Sequence, residues 1–171
     1  MDPTNLAPLA SEDVLQIAGL PLHQLIVHAV VVLTPLTVLA LLLGAFWPAA
    51  RRRLGIVTAL GAALVLVLVP ITVAAGQSLA ERIGPVPAVA RHRQFGEMLL
   101  PWAIALFVVA AAQWAWFRYA DERMRRGSPG AARAVRIGLA AATVVVGVGT
   151  AVLLVLIGDS GARAVWGGLL S

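Results

Sequence analysis

The chain has 171 residues, of which 60% are hydrophobic and only 12% charged, and its mean hydropathy is +0.91. A water-soluble domain carries about a quarter charged residues, so this composition excludes an ordinary soluble fold and indicates an integral membrane protein. The net charge of +5 does not indicate nucleic-acid binding, because most arginines fall in two loops on one side of the predicted membrane.

Residues 1–19 are predicted to form a tail on the outer side of the membrane. Within it, Ser11, Glu12 and Asp13 supply a helix cap and an acidic first turn, so a short interfacial helix is expected to continue to Ile17. The tail has no basic residue and the apolar run after it is too long for a secretory signal peptide. The first hydrophobic segment is therefore expected to remain in the mature protein.

Four uncharged apolar segments are each long enough to cross a hydrocarbon core of about 30 Å. Their hydrophobicity is continuous rather than alternating, and backbone groups in lipid must bond within their own segment, so they favour helices over barrel strands. We predict an all-α polytopic fold with an up-and-down four-helix bundle over residues 20–158, followed by an outer segment over 159–171. The spans are expected at about residues 20–47, 54–75, 93–117 and 137–158.

Several residue types within the spans carry structural predictions. The prolines at 35, 70 and 101 are expected to bend their helices. Aromatic belts are predicted at both membrane surfaces, formed on the inner side by Trp47, Trp114, Trp116 and Tyr119 and on the outer side by Trp102 and Trp166. In the fourth span, Thr143, Gly147 and Ala151 form a small-residue stripe that favours helix packing within the bundle, with a homo-oligomer contact as the alternative.

The placement of charge predicts the orientation. The turn at 51–53 and the loop at 118–136 hold nine arginines against two acids, a net +7, whereas the other side sums to −2. By the positive-inside rule the Arg-rich loops are cytoplasmic, so the N-terminus and the C-terminus both lie outside. The exclusive use of arginine over lysine suggests a bacterial source, and hence the bacterial plasma (inner) membrane. The basic loops are expected to contact anionic lipid headgroups of the bilayer.

Every histidine falls on the outer side of this topology. His23 and His28 lie in the outer half of the first span, and His92 lies at the outer start of the third. Carboxylates are expected at the same level, and these are Glu81, Glu97 and Asp159. Imidazole binds transition metals, and ionisable groups near a bilayer tend to face the bundle and one another. These six residues are candidate metal ligands, while the absence of cysteine excludes covalent haem attachment.

The spacing selects a pair among the histidines. His23 and His28 are five residues apart, about 140° around a helix, so they are not expected to share one ion. Imidazoles from two helices at matching height can hold haem b, which makes His28 and His92 the candidate cofactor ligands. Structural explanations stay open: His28 could hydrogen-bond a neighbouring helix, His92 could be a solvated turn residue, and the carboxylates could form surface ion pairs.

The sequence contains no catalytic triad context, phosphate loop or H-E-x-x-H motif, and no catalytic residue is predicted. The first hypothesis is an embedded cofactor protein that binds haem b or a transition metal, for electron transfer or metal handling with an outer-surface redox or metal-handling partner. The alternative is a structural or accessory membrane protein without a cofactor. An enzymatic role is left open and a non-catalytic role is preferred.

Several motifs resemble a known family. They are Leu20-Pro21-Leu22-His23, Val27-His28, Gly76-Gln77-Ser78, His92 with Gly96-Glu97, and Ser160-Gly161-Ala162. Together they are similar to a group of bacterial four-helix membrane proteins, domain of unknown function 2231, over residues 20–166. The resemblance implies a four-span membrane protein and brings no established activity. Many relatives carry histidine where this chain has Asp159, a departure that again leaves His28 and His92 as the preferred pair.

Overall fold

The structure, a computed structural model, describes residues 16–17, 20–83 and 86–166. Within these ranges almost every residue is helical. The helices are α1 (Leu22–Phe46), α2 (Pro48–Ile83), α3 (Pro87–Ala115), α4 (Asp121–Gly127) and α5 (Pro129–Trp166). A π-helical turn at Trp116–Ala120 connects α3 to α4 without a break.

Prolines mark where three of the helices begin. Pro48, Pro87 and Pro129 occupy the first positions of α2, α3 and α5, where the missing N–H costs no hydrogen bond and the fixed φ suits a helix. By contrast, the prolines predicted to bend the spans lie inside continuous helices: Pro35 in α1, Pro70 in α2 and Pro101 in α3.

The four long helices form the predicted up-and-down bundle. Each packs against its neighbour in sequence, and α1 also packs against α5, which closes the ring. The helices are long and apolar enough to cross a membrane. They extend beyond the predicted spans at several ends, for example at Ile83 of α2 and at Trp166 of α5. The all-α four-span fold is therefore confirmed.

The interior contains two apolar clusters. One is centred on Val30, Val69 and Leu99, and the other on Leu41, Ala62 and Leu106. The described polar residues of the mid-bundle face inward as well, and the buried ones are Thr34, Thr37, Thr58, Gln113, Thr143 and Thr150. Large apolar side chains cover the surface of the bundle that faces lipid, as lipid contact requires. The mid-bundle polar groups thus lie away from lipid within a mainly apolar interior, and the surface toward lipid is apolar as well.

Close contacts set the register between helices. A Cβ atom on Gly147 of α5 would lie 3.3 Å from Cγ1 of Val38 in α1. A Cβ atom on Gly61 of α2 would lie 3.1 Å from Oγ1 of Thr37. These glycines allow the helix backbones to approach closely. We name the two ends of the bundle by their residues: the histidine end carries His28 and His92, and the Arg-rich end carries residues 51–53 and 118–136.

Three local predictions differ from the structure. Gln16–Ile17 pair with Leu20–Pro21 in a short antiparallel ladder, where a helix was predicted; the rest of that helix lies outside the described residues. In the small-residue stripe, Ala151 is exposed and Thr150 takes its place in the interior. The cause is helical geometry, since positions 143, 147 and 150 stay on one face better than 143, 147 and 151.

Trp102 is the third difference. It was predicted to lie in an outer aromatic belt, but its ring packs against Gly149 in the middle of α5 and against the apolar cluster at Val30. The reason is that α3 begins at Pro87, so Trp102 lies about 22 Å along the helix, at a rise of about 1.5 Å per residue. Trp102 is a helix-packing residue.

Candidate functional site

His92 joins α3 to α5 at the histidine end. Its Nδ1 atom lies 3.1 Å from the carbonyl oxygen of Ile157 and 3.2 Å from Oγ of Ser160. The Ser160 hydroxyl donates to the same carbonyl at 3.0 Å. A carbonyl oxygen can only accept, so this contact favours the tautomer with the proton on Nδ1, which in a neutral ring leaves the lone pair on Nε2. The contacts with α5 therefore fix the orientation of the ring and favour one tautomer.

The residues after Asp159 provide the surface on which this ring rests. Ser160 is buried, and a Cβ atom on Gly161 would lie 3.1 Å from Cε1 of His92. Both residues belong to α5, which continues to Trp166, eight residues past the predicted end of the fourth span at residue 158. The sequence is compatible with this longer helix, because no proline follows Pro129 within α5.

His28 is exposed on α1 and takes part in an interaction within the structure. Its level along the bundle follows from the register of α1 and α5, which are antiparallel. Val38 of α1 packs against Gly147 of α5. His28 lies ten residues before Val38, and Ile157 lies ten residues after Gly147, so His28 and Ile157 are at the same level. Ile157 is the residue whose carbonyl binds His92. The two histidines thus lie at about the same level on helices that both pack against α5.

Two of the three carboxylates predicted as ligands are engaged by arginine. Glu97 accepts a hydrogen bond from Nε of Arg93 at 2.8 Å and another from Nε2 of Gln77 at 3.1 Å. The second of these links α3 to α2. Asp159 accepts from Arg163 at 2.8 Å, one turn further along α5. These pairs are partly exposed, so their energies are modest, but they direct the carboxylates toward arginine.

His23 and Glu81 complete the predicted set. Their backbones belong to α1 and α2, and their side chains lie outside the part of the chain that the structure describes. Among the described side chains, no group of three or more histidine and acidic residues is placed to hold a metal ion. The structure therefore brings His92 to α5 and His28 to the same level, and it leaves Glu97 and Asp159 with arginine partners.

The Arg-rich end, predicted from the sequence only as a charged surface, contains a second polar cluster. Arg51 donates from Nε to the carbonyl of Gly44 at 2.6 Å and from Nη2 to that of Ala45 at 2.7 Å. Its guanidinium also stacks on Phe117, 3.5 Å from the ring centroid. The last carbonyls of a helix lack partners within the helix, and a cation there also complements the helix dipole. Arg51 thus joins α1, α2 and the turn after α3.

Asp121 holds α5 at this same end. It accepts hydrogen bonds from Arg136 of α5 through both oxygens, and one from the indole Nε1 of Trp116 at 3.2 Å. Asp121 is largely buried, which strengthens a paired carboxylate relative to an exposed one. No periodicity or motif in the sequence predicts this pair, because it depends on the π-helical turn that precedes α4.

A family model described as "Predicted membrane protein (DUF2231)" matches residues 19–170. No curated protein and no solved structure matches the chain. The match covers nearly all of the chain, including α1 to α5.

Proposed function

We propose, since the chain belongs to the family of predicted membrane proteins DUF2231, that it binds a transition-metal ion or haem b iron at the histidine end. His28 and His92 would be the ligands. The centre would serve electron transfer or metal handling for a protein partner at that membrane surface. His23 and Glu81 are candidate additional ligands, and Glu97 and Asp159 would support the site through their arginine partners.

The observation that carries this proposal is the environment of His92. In the tautomer that this contact favours, Nδ1–H donates to the Ile157 carbonyl and Nε2 presents a lone pair. Metal-bound histidines are held in the same way, by a carbonyl or carboxylate on the second ring nitrogen, which fixes the ring and raises its basicity. The matching level of His28 supports the choice of the second ligand.

The packing of the bundle limits where such a centre fits. Next to this level the interior is filled by buried side chains, among them Val30, Val69 and Leu99. A metal or haem would therefore bind at the end of the bundle or along its surface, where His28 is exposed, and not in the apolar core. Bound haem iron would supply one-electron transfer, whereas a bound metal ion would itself be passed to a partner protein.

The test is spectroscopy and elemental analysis of the full chain purified in mild detergent. We expect a bound transition metal, or a reduced-minus-oxidised haem spectrum, in wild type and its complete loss in His28→Ala and His92→Ala. Gln94→Ala changes an exposed neighbour of His92 and should leave the bound centre unchanged. Retention of the centre in both histidine variants would refute this choice of ligands.

A second candidate is a structural or accessory membrane protein without a cofactor. The contacts that favour it are Gln77 to Glu97 and His92 to Ile157, which link three helices at one end of the bundle. Hydrogen bonds between membrane helices contribute about 0.6 kcal/mol each on average, so such links align helices more than they stabilise them. A well-folded wild-type protein that is colourless and free of metal would favour this function over cofactor binding.

The orientation of the chain is also part of the proposal. The excess of arginine at 51–53 and 118–136 supports a cytoplasmic Arg-rich end in a bacterial plasma membrane, with both termini outside. Alkaline phosphatase fused after Ser171 is expected to be active, and a cytoplasmic fluorescent reporter at the same position inactive. Fusions in the loop at residue 128 provide the matched control and should behave in the opposite way. Cytoplasmic activity after Ser171 would contradict the topology.

A further inference from the structure

A cavity of about 300 Å³ lies at the Arg-rich end, between α1, α2 and α3. Its walls combine two kinds of side chain. Leu41, Leu54 and Ile56 provide apolar surface, whereas Arg52, Arg53 and Arg118 provide positive charge. Ile56 is 46% exposed, so the apolar wall continues onto the surface of the helix that faces lipid. The cavity is thus open to amphipathic molecules at the boundary of the span.

The positive charge of the cavity is not neutralised by the protein. The described residues of this end include only two acids, Asp121 and Glu122, and each is paired with an arginine outside the cavity. These partners are Arg136 for Asp121, and Arg125 and Arg126 for Glu122. Within the described structure, the cavity arginines at 52, 53 and 118 have no carboxylate partner. Guanidinium groups in this state favour phosphate, which they bind through paired hydrogen bonds.

Gln113 supplies an independent observation. It is only 5% exposed and lines the cavity, and its Oε1 atom has no hydrogen-bond partner in the described structure. Its Nε2 atom donates to the carbonyl of Leu41 at 3.4 Å, a long hydrogen bond. Oε1 is closed to solvent, so a ligand donor reaches it when the Gln113 side chain turns toward the cavity. A buried polar atom without a partner costs free energy, so a ligand that carries a hydrogen-bond donor beside its charge favours that movement.

We propose that this cavity binds the headgroup of an anionic glycerophospholipid with a free hydroxyl, of the phosphatidylglycerol type. The phosphodiester lies among Arg52, Arg53 and Arg118, and the headgroup hydroxyl donates to Gln113. The apolar wall at Ile56 receives the start of an acyl chain, which a free phosphate lacks. Arg51 does not take part, because the carbonyls of α1 already occupy its guanidinium.

The test measures which lipids the 171-residue chain retains in nanodiscs, after delipidation in a zwitterionic detergent. We expect bound phosphatidylglycerol to survive washing with phosphatidylcholine, and glycerol 3-phosphate not to displace it. Salt at 0.5 M is expected to weaken retention, because the phosphate contacts are partly exposed. Displacement of phosphatidylglycerol by glycerol 3-phosphate would overturn the assignment to a lipid. If phosphatidylcholine were retained as well as phosphatidylglycerol, a site that selects negative charge would be refuted.

Substitutions locate the site. Replacing the three cavity arginines together, Arg52→Gln/Arg53→Gln/Arg118→Gln, is expected to weaken phosphatidylglycerol retention about tenfold or more, as the loss of charge-assisted hydrogen bonds implies. The matched control, Arg123→Gln/Arg125→Gln/Arg133→Gln, removes the same charge from the same end outside the cavity and should retain at least half of the bound lipid. Equal loss of phosphatidylglycerol retention in both variants would show that retention depends only on the total charge of this end, and it would refute the site. The salt dependence of wild type tests the proposal without any substitution.

Discussion

Gly149→Ala is expected to lower the free energy of unfolding by about 3 kcal/mol, the upper part of the range for overpacked interiors. The cause is steric. A Cβ atom at this position would overlap the six-membered ring of Trp102, at a point where α3 and α5 are in extensive contact. In a membrane, helix association depends on van der Waals packing because lipid is as apolar as the helix surface. A forced separation of α3 from α5 is therefore costly.

Gly138→Ala provides the control for this prediction. Gly138 lies in the same helix, and a Cβ atom there would meet nothing within 4 Å. Its replacement should leave stability unchanged or raise it by up to about 1 kcal/mol, through the higher helix propensity of alanine. Denaturation in mixed micelles of sodium dodecyl sulfate, followed by circular dichroism, measures both variants. Equal stability of Gly149→Ala and Gly138→Ala would show that Trp102 does not pack where the structure places it.

The fold could be predicted from the sequence because hydrophobic length and the lack of charge in each span are local properties. Membrane solvation leaves helices as the solution for such segments, and short turns leave sequence neighbours in contact. The arrangement of Trp102 could not be predicted in this way. Its belt assignment came from a general preference of tryptophan for interfaces, and the correct position depends on where α3 begins and on the gap that Gly149 leaves.

The ligand assignment of the candidate site stays a prediction from the sequence, and the structure adds contacts that the sequence does not define. Charge asymmetry and the position of the spans placed His28 and His92 at one level, and the register of α1 and α5 agrees. Of the two partners of His92, Ser160 depends on how far α5 continues past Asp159, which hydropathy does not define because Ser160 and Arg163 are polar. Likewise, whether Glu97 binds a metal or forms an ion pair depends on which side chain lies closest to its carboxylate, and in the structure this is Arg93.

The links at the Arg-rich end show the same limit. Arg51, Arg52 and Arg53 are adjacent and chemically identical in the sequence, yet only Arg51 bonds the carbonyl oxygens of Gly44 and Ala45. The difference arises from the single residue, Trp47, that separates α1 from α2. With so short a turn, the first turn of α2 lies beside the last turn of α1, and one arginine reaches the free carbonyls. The other two remain available for the cavity.

Arg51→Met is the second substitution with a large expected effect. It preserves most of the apolar stem but removes both hydrogen bonds to α1 and the contact with Phe117. Hydrogen bonds to charged groups contribute about 1.5–3 kcal/mol each when buried, and a cation–π contact about 0.5–2 kcal/mol. Because Arg51 is only half-buried, solvent screening reduces the sum, and we expect a loss of about 2–3 kcal/mol in the free energy of unfolding.

Arg52→Met separates this structural role from the general loss of charge. The Arg52 side chain is exposed and makes no hydrogen bond in the described structure, so in zwitterionic detergent without anionic lipid its replacement should cost under about 0.5 kcal/mol. Arg51→Lys should fall between the two, since an ammonium keeps the charge at the end of α1 but cannot reproduce the fork that reaches two carbonyls. If Arg51→Met and Arg52→Met were equally stable in the same denaturation series, the carbonyls of Gly44 and Ala45 would not depend on Arg51. The α1–α2 turn would then have to be held by apolar packing alone, and the reason for distinguishing Arg51 from the cavity arginines would be lost.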